Sequence, residues 1–383
     1  MKKILAMLLA LVMVLGLAAC GAPAAEAPAA SEAAYKVAMV TDYGDITDQS
    51  FNQTTYEACK AYAEANNVEF TYYKPAGDSD AERVAMIEKA VDEGYNVIVL
   101  PGFAFAAAIA TAAPQYPDVK FIALDVSEFD LTSAGLTAET MTNVYSAVYQ
   151  EELSGYMAGY AAVKLGYTKL GFLGGMAVPA VQKFGYGFVQ GADAAAKELN
   201  TTVDMNYIYG GLFYGTADIT AVMDTWYQGG TQVVFACGGG IYTSAVDAAK
   251  KVEGAKVIGV DVDQAGVIAN YAGDADTSLT VTSAMKGLYP TTVDTLTDVI
   301  NNGNWAKYAG KVATLGLVSG DDPTANYVQI PMESTQWSDT FTQDDYKAMV
   351  KAMFDGTIVV SGDVSAEPAV TNVNVDYQGQ IVG

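Results

Sequence analysis

The stretch VTDYGDITDQSFNQ, residues 40–53, joins an apolar run to a helical pattern through a polar loop. The apolar run, residues 36–40, predicts a buried strand. Side chains at helical spacing over residues 51–62 predict a helix that Thr47 or Asp48 can cap. A strand, a loop and a helix in this order open a βα unit, and in open α/β sheets ligands lie beyond the carboxyl ends of the strands. The loop is therefore a candidate ligand site.

Three side chains of this loop, Asp42, Asp48 and Phe51, are candidate ligand contacts because they follow the predicted strand directly. The stretch taken alone leaves a second interpretation open, in which it is an ordinary capped turn. A further aspartate, Asp125, ends the strand that residues 121–124 predict. With Asp42, two aspartates are thus expected at the carboxyl ends of strands of the same lobe.

The rest of the chain repeats the alternation of strand and helix. It runs over residues 35–125 and again over 169–261, where the last predicted strand ends at Asp261. This rhythm is typical of doubly wound parallel sheets. We expect an α/β protein with two similar lobes around a ligand cleft, an architecture that resembles the type I periplasmic-binding-protein fold.

Two glycine patterns indicate close packing of helices. Residues 143–165 predict one helix, in which Gly155 and Gly159 share a face. Residues 185–191, GYGFVQG, are similar to a dinucleotide-binding fingerprint, but the spacing differs and the segment lies inside a helical pattern, so we interpret it as helix packing. The glycine run 238–240 follows a predicted strand and precedes a helix, which suits either contact with an uncharged ligand or a plain tight turn.

The composition excludes several kinds of function. Of the 383 residues, 20 are basic and 44 acidic, the formal net charge is -24, and histidine is absent. The absence of histidine excludes Ser-His-Asp and Cys-His catalysis and histidine-ligated metal sites, and the negative charge disfavours nucleic acid as a partner. Arg83 is the sole arginine and lies in a helical pattern. A carboxylate or phosphate ligand, which usually calls for a bidentate arginine, is therefore disfavoured.

Seven separate segments resemble the basic membrane protein family of substrate-binding lipoproteins, whose best understood members are purine nucleoside receptors of ABC importers. They are Asp42 with residues 48–53, Gly102-Phe103, Asp125, Gly174-Gly175 with Pro179 and residues 184–188, residues 235–239, residues 258–264, and residues 282–286. They follow the family order over essentially the whole chain after the N-terminal segment. The ordered set is specific, although each segment alone is weak.

The resemblance implies a set of ligand contacts. Phe51 and Phe213 would enclose a base, with Tyr214 as a competitor of Phe213 for stacking. The polar groups would be Asp42, Asn52 and Asp125 for the base and its surroundings, and Asp261, Lys286 and the backbone of Gly238 and Gly239 for the ribose. A neutral, flat ligand with hydroxyls suits aromatic rings and carboxylate acceptors. The loop departs from the family pattern at Tyr43 and Gly44-Asp45.

The resemblance also implies the arrangement of lobes and the partners. The chain would cross between lobes near residues 140, 280 and 320, giving an N-terminal lobe of 35–140 plus 281–320 and a C-terminal lobe of 141–280 plus 321–383. The protein would capture a purine nucleoside and deliver it to the permease of an ABC importer. It would be no enzyme, and it would need no cofactor and no metal, since Asp274 and Asp276 lack the spacing of a calcium loop.

Other functions remain as alternatives. A sugar or autoinducer receptor of the same fold also uses aspartates and aromatic rings, but it prefers more amide and arginine contacts. A nucleoside hydrolase would need a D-x-D-x-x-x-D-D cluster within one loop, and the sequence has none. A regulatory relative without a transporter is disfavoured by the N-terminus.

The N-terminus has the features of an exported lipoprotein. Two lysines precede an apolar run over residues 4–17, and Leu-Ala-Ala-Cys, which is similar to a bacterial lipobox, ends at Cys20. Residues 1–20 are expected to be a lipoprotein signal peptide, and the Ala- and Pro-rich residues 21–34 a flexible tether. A plain signal peptide or a membrane span is the alternative, although the apolar run is short for a span. The expected location is the extracytoplasmic face of the cell membrane.

We expect Cys20 to be diacylated and to form the mature N-terminus, because the family resemblance places the lipid there. Mass spectrometry of the protein from the membrane fraction measures both properties. A mature N-terminus at another residue, or an unmodified Cys20, would contradict this expectation.

Overall fold

A computed structural model describes residues 35–137, 139–273 and 277–382. Cys20, the predicted signal peptide and tether, and Asp274 and Asp276 lie outside the described residues. None of the helices described has the length and apolar composition that crossing a membrane requires.

Strands and helices alternate along most of the chain. The strands are β1 (Lys36–Val40), β2 (Glu69–Tyr73), β3 (Val97–Pro101), β4 (Lys120–Leu124), β5 (Val144–Tyr149), β6 (Lys169–Gly174), β7 (Val203–Tyr209), β8 (Val233–Cys237), β9 (Lys256–Asp261), β10 (Thr280–Lys286), β11 (Lys311–Leu315), β12 (Val328–Gln329) and β13 (Val373–Gln380). The α-helices are α1 (Phe51–Asn66), α2 (Asp80–Asp92), α3 (Ala106–Ala112), α4 (Glu128–Ser133), α5 (Glu151–Lys164), α6 (Pro179–Glu198), α7 (Ala217–Gln228), α8 (Tyr242–Ala249), α9 (Ala265–Ala272), α10 (Leu288–Leu296) and α11 (Gln343–Phe354).

The described strands form two sheets. The first has six strands in the order β11-β5-β4-β3-β1-β2, and all of its neighbouring strands run parallel. The second has seven strands in the order β12-β10-β9-β8-β6-β7-β13, with β10 and β12 antiparallel. We call the first sheet with α1–α4 and α10 the first lobe, and the second sheet with α5–α9 and α11 the second lobe. The predicted α/β fold with two doubly wound sheets is confirmed.

The sequence of the central strands explains their position. β3 and β8 are short apolar runs that are buried along their whole length. Continuous apolar runs are characteristic of parallel strands with helices on both faces, where no side of the sheet meets water. Each lobe is therefore built around its own buried sheet.

The chain crosses between the lobes at the carboxyl ends of strands. It passes from β5 to α5 at Gln150, from β10 to α10 at Gly287, and from β11 to β12 over residues 316–327. The crossings that the sequence predicts near 140 and 280 lie later in the chain, at Gln150 and Gly287. β5 forms hydrogen bonds with β4 in the first sheet, and β10 pairs with β9 in the second. The sheet that each strand pairs with, rather than the residue pattern of the strand itself, decides its lobe.

The single helix predicted over residues 143–165 is wrong in its first part. Val144–Tyr149 forms β5, and α5 begins only at Glu151. The sequence VYSAVY is rich in β-branched and aromatic residues, which fit a pleated and buried surface. The prediction fails because no glycine or proline separates this strand from the helix.

Helices α5 and α6 pack with their backbones in contact. A Cβ on Gly155 would overlap the carbonyl oxygen of Phe184, and a Cβ on Gly159 would overlap that of Phe188. Residues 185–191 lie inside α6, where two further glycines approach the backbone of α5 in the same way. Both glycine patterns are therefore helix packing, as the sequence predicts.

Replacing Gly159 by alanine should destabilise the protein by roughly 1–3 kcal/mol, because the added methyl group overpacks this contact. Gly266 in α9 is the matched control, since a Cβ there meets no atom within 4 Å. Alanine at that helical position should be neutral or stabilising by up to about 1 kcal/mol. Urea denaturation measures both variants, and an unchanged free energy of unfolding for Gly159→Ala would contradict the packing described.

Candidate ligand-binding site

A cavity of about 580 Å³ lies between the lobes, at the carboxyl ends of their strands. Its lining comes from both lobes and includes every ligand contact that the sequence predicts. These residues are Asp42, Phe51, Asn52, Asp125, Phe213, Gly238, Gly239, Asp261 and Lys286. The fold thus brings together in space nine residues that are spread over most of the chain.

The N-cap position of α1 is Ser50 and neither of the predicted caps, Thr47 and Asp48, but Asp48 organises the start of the helix. Its carboxylate accepts hydrogen bonds from the backbone N–H groups of Ser50 at 2.9 Å, Asn52 at 2.9 Å and Gln53 at 3.1 Å. Thr47, the other predicted cap, instead donates to Asp45 at 2.7 Å. The helix therefore begins with several of its free N–H groups satisfied by one carboxylate.

Asn52 is oriented by two carboxylates. Its Nδ2 donates to Asp42 Oδ1 at 3.3 Å and to Asp48 Oδ2 at 3.2 Å. Its Oδ1 is buried and has no hydrogen-bond partner among the described residues. Because the amide nitrogen is fixed by acceptors, this oxygen is a fixed acceptor for a donor group of a ligand.

Asp42 is a buried carboxyl at the end of the first strand. Its Oδ1 accepts a hydrogen bond from the backbone N–H of Gly44 at 2.6 Å. Burial raises the pKa of Asp42 to about 6, against the opposing effect of hydrogen bonds from Gly44 and Asn52. Desolvation disfavours the charged form, so this carboxyl takes up a proton at a higher pH than usual.

Lys286 is the centre of a buried ion cluster that joins the lobes. Its Nζ forms an ion pair with Asp125 of the first lobe and lies 3.7 Å from Oδ1 of Asp261 in the second lobe. Oε1 of Glu151, at the start of α5, is 3.5 Å away. Asp125 Oδ1 is buried without a hydrogen-bond partner in the part of the chain described, so it can accept from a ligand.

Burial and charge compete in this cluster. Burial by itself lowers the pKa of Lys286, but the carboxylates of Asp125, Asp261 and Glu151 outweigh it and raise that pKa well above its usual range. Burial raises the pKa of Glu151 and of Asp261, with Lys286 opposing the change in both. Lys286 is therefore firmly protonated beside an excess of carboxyl groups.

Asp125 and Asp261 have the same place in their lobes. Each directly follows or ends a strand, and both adopt left-handed backbone, with φ of 61° and 66°. Aspartate visits this region more readily than most residues, and such conformations cluster at functional sites. Here the conformation turns the chain sharply where the carboxylates meet Lys286.

Aromatic rings enter the cavity from both lobes. Phe51 is half-buried, and its ring centroid lies 4.8 Å from Lys286 Nζ. Phe213 is also half-buried and stacks on Tyr43, with ring centroids 6.0 Å apart and an angle of 26° between planes. Tyr214 is 58% exposed. The geometry favours Phe213 over Tyr214 as the ring that faces the cleft.

Glu151 and Tyr43 are site residues that the sequence reasoning missed as ligand contacts. The sequence predicts Glu151 in the middle of a helix over residues 143–165, whereas in the structure it lies at a crossing between the lobes. For Tyr43, the signal in the sequence is that this residue departs from the family pattern in the loop directly after Asp42.

Arg83 has a structural role. It is 4% exposed, forms ion pairs with Asp78 and Asp80, and does not line the cavity. The lining instead carries more carboxylates than lysines. This arrangement suits a neutral ligand that donates hydrogen bonds, and it disfavours a phosphate or carboxylate group.

The fold is that of the solute-binding proteins of ABC transporters. A crystal structure of such a protein from Aeropyrum pernix K1 matches with a TM-score of 0.65 and 22% sequence identity, covering 86% of this chain and 88% of that one. The profile of the PnrA-like ABC transporter substrate-binding proteins, the Bmp family, matches residues 35–356, and the chain belongs to this family. The family resemblance that the sequence motifs indicate is confirmed.

Two relatives illustrate the family. The ABC transporter nucleoside-binding protein BmpA of Lactococcus lactis is 28% identical over 298 residues, which are 74% of this chain and 80% of the relative. An uncharacterized lipoprotein of Pyrococcus furiosus is 26% identical over 333 residues, which are 82% of this chain and 77% of the relative. The protein is thus a substrate-binding component of an ABC transporter system.

The pKa of Asp42 predicts a pH effect on stability. Because its pKa of about 6 in the folded state exceeds the usual 3.8, the folded state holds the proton more tightly than the unfolded state. This carboxyl therefore adds stability as the pH falls from about 7 to about 4, by roughly 2–3 kcal/mol. Asp42→Asn should remove that gain. Urea denaturation at several pH values measures the difference between wild type and variant, and a difference that is constant with pH would contradict the shift.

Proposed function

We propose that this protein captures a purine nucleoside between its lobes and delivers it to the permease of an ABC importer. The observation that carries the proposal is the composition of the cavity, in which aromatic rings from both lobes accompany buried hydrogen-bond acceptors and one fully buried cation. A planar base with an attached polyol offers surfaces for both kinds of group.

The base would lie between Phe51 and Phe213. Stacking of a base on an aromatic ring contributes about 1–3 kcal/mol, and two rings from different lobes would couple binding to lobe closure. Asp42 and Asn52 would receive N–H donors from the edge of the base, since Asn52 Oδ1 has no partner within the described chain. Protonated Asp42 would in addition be able to donate to a ring nitrogen.

The ribose would lie at the Lys286 end of the cavity. Hydroxyl groups both donate and accept, so they suit a site where Asp125 and Asp261 accept and Lys286 donates. The backbone N–H groups of Gly238 and Gly239 would donate hydrogen bonds to the same sugar, since both residues line the cavity. A ligand hydroxyl would satisfy the free Oδ1 of Asp125.

Two relatives support the finer points of this proposal. The Lactococcus relative is named a nucleoside-binding protein, and the Pyrococcus relative is named a lipoprotein. We propose that lipid on Cys20 holds this protein at the extracytoplasmic face of the cell membrane. We propose no catalytic step, because capture and release need only noncovalent contacts.

A ligand panel tests the proposal. Residues 35–383 form a compact unit, so the chain without its anchor is suited to thermal shift and calorimetry. Guanosine, inosine and adenosine should each stabilise the folded state by RT ln(1 + [L]/Kd), where [L] is the free ligand concentration. Cytidine, free purine bases, pentoses and nucleoside monophosphates are the comparison ligands. Binding of a pentose as tight as that of a nucleoside would favour the sugar-receptor alternative and contradict the proposal.

Phe51→Ala should weaken nucleoside binding by roughly 1–3 kcal/mol, or roughly 5- to 150-fold, because one stacking surface is lost. The melting temperature should change little, since the ring is only half-buried. Phe51→Tyr is the matched control and should bind nearly as tightly as wild type because it keeps the ring. Calorimetry that finds unchanged affinity for Phe51→Ala would remove the ring from the site.

A further inference from the structure

Tyr43 belongs to the first lobe, but its side chain also contacts the second lobe. Its ring stacks on Phe213 with centroids 6.0 Å apart. Its hydroxyl donates to Met176 Sδ at 3.2 Å. Both partners lie at the cleft edge of the second lobe, so Tyr43 spans the cleft beside the cavity that it also lines.

The first lobe supports Tyr43 through Arg83. The guanidinium carbon of Arg83 lies 6.0 Å from the centre of the Tyr43 ring, a cation–π distance. Arg83 is itself buried and fixed by Asp78 and Asp80. The one arginine of the sequence thus contributes to the placement of a tyrosine at the cleft.

Phe213 is held at one edge of its ring. A Cβ on Gly175 would overlap the ring atoms Cδ1 and Cε1, and a Cβ on Gly238 would lie 2.9 Å from Cδ1. The two glycines therefore leave room for the ring to pack closely against the backbone of the second lobe. Tyr43 stacks on the ring, and Phe213 also borders the cavity.

The pair lies at the mouth of the cavity. Two residues after Tyr43, the side chain of Asp45 is 51% exposed and pairs with Lys74, which is 45% exposed. Next to Phe213, Tyr214 is 58% exposed. The Lys286 cluster, in contrast, is buried. A ligand held near Lys286 would therefore have the Tyr43–Phe213 pair between itself and solvent.

The other end of the same loop also crosses the cleft. Ser50 Oγ donates to Asp261 Oδ2 at 2.6 Å, and Gln264 Nε2 donates to the backbone oxygen of Gln49 at 3.1 Å. The loop from Tyr43 to Ser50 is thus bonded to the second lobe at both ends. Of these contacts, the stacking of Tyr43 on Phe213 is the one made with an aromatic ring that lines the cavity.

We propose that Tyr43 is a positioning residue that holds Phe213 over the bound ligand and thereby slows ligand release. The proposal rests on the proposed function for the ligand, but the cross-cleft contact itself does not depend on which ligand binds. Tyr43 is expected to affect dissociation much more than association, because it acts after the lobes have closed.

Stopped-flow dissociation of guanosine or inosine from residues 35–383 tests this role. An aromatic pair corresponds to about 2- to 10-fold in an equilibrium constant, so Tyr43→Ala should release ligand about 2- to 10-fold faster. Tyr43→Phe keeps the ring and loses only the hydrogen bond to Met176, so its release rate should stay within about twofold of wild type. The variant Tyr43→Ala in a Phe213→Ala background should add less than about twofold, because the two rings act as a unit.

Three results would overturn the proposal. Tighter binding by Tyr43→Ala would mean that Tyr43 competes with the ligand for Phe213. An unchanged dissociation rate would mean that the contact does not retain the ligand. If Tyr43→Ala speeds release equally in the wild-type and Phe213→Ala backgrounds, Tyr43 does not act by holding Phe213.

A measurement without ligand separates this inference from the proposed function. Spin labels on cysteines introduced at Asp118 and Glu253, which are exposed and lie ahead of β4 and β9, report the distance between the lobes. The native Cys59 and Cys237 are buried. Tyr43→Ala should broaden the distance distribution and Tyr43→Phe should not.

If no nucleoside binds but Tyr43→Ala still opens the lobes, the proposed function fails while the cross-cleft contact stands. If nucleosides bind and Tyr43→Ala neither opens the lobes nor speeds release, this inference alone fails.

Discussion

A single ammonium group at the end of β10 faces three buried carboxylates, and the geometry of the cleft depends on this arrangement. Asp125 comes from the first lobe, whereas Asp261 and Glu151 come from the second. A buried charge is tolerated only when it is paired, and removal of one partner from such a pair typically costs about 3–5 kcal/mol. Lys286 therefore sets the distance between the lobes beside the cavity, and it leaves an excess of acceptors there that only donor groups can satisfy.

The same side chains take part in contact between lobes and in the site itself. Asp261 accepts a hydrogen bond from Ser50 of the first lobe while it lies beside Lys286. Asp125 pairs with Lys286 and keeps one oxygen without a partner in the described chain. A ligand that donates to these groups would strengthen a contact between lobes rather than replace it. Recognition and closure are therefore coupled by shared atoms, which is how a small ligand can bias the relative position of two lobes.

Most of the fold could be predicted because each βα unit carries its own local signal. The sequences of β3 and β8 are apolar, which predicts buried strands. Asp48, whose carboxylate accepts backbone hydrogen bonds at the start of α1, can also be recognised from the sequence. The failures concern features that only the pairing of strands reveals. The strand at residues 144–149 continues into a helix without a breaker, and only its pairing with β4 identifies it. The predicted site residues line one cavity, and Glu151 lines it as well. The sequence does not predict Glu151 as a site residue because its position depends on where the chain crosses between the lobes.

The contact between α5 and α6 constrains how the lobes can move. At Gly155 and Gly159 the two backbones touch, so neither helix has side-chain ridges there that could shift past the other. α5 begins at the crossing next to Lys286, and α6 begins at the edge of the cavity. These two helices are therefore expected to move together rather than to slide past each other. In mechanical terms, the three connections at Gln150, Gly287 and residues 316–327 would then act as parallel hinges, and closure would be a rotation about them rather than a shear between α5 and α6.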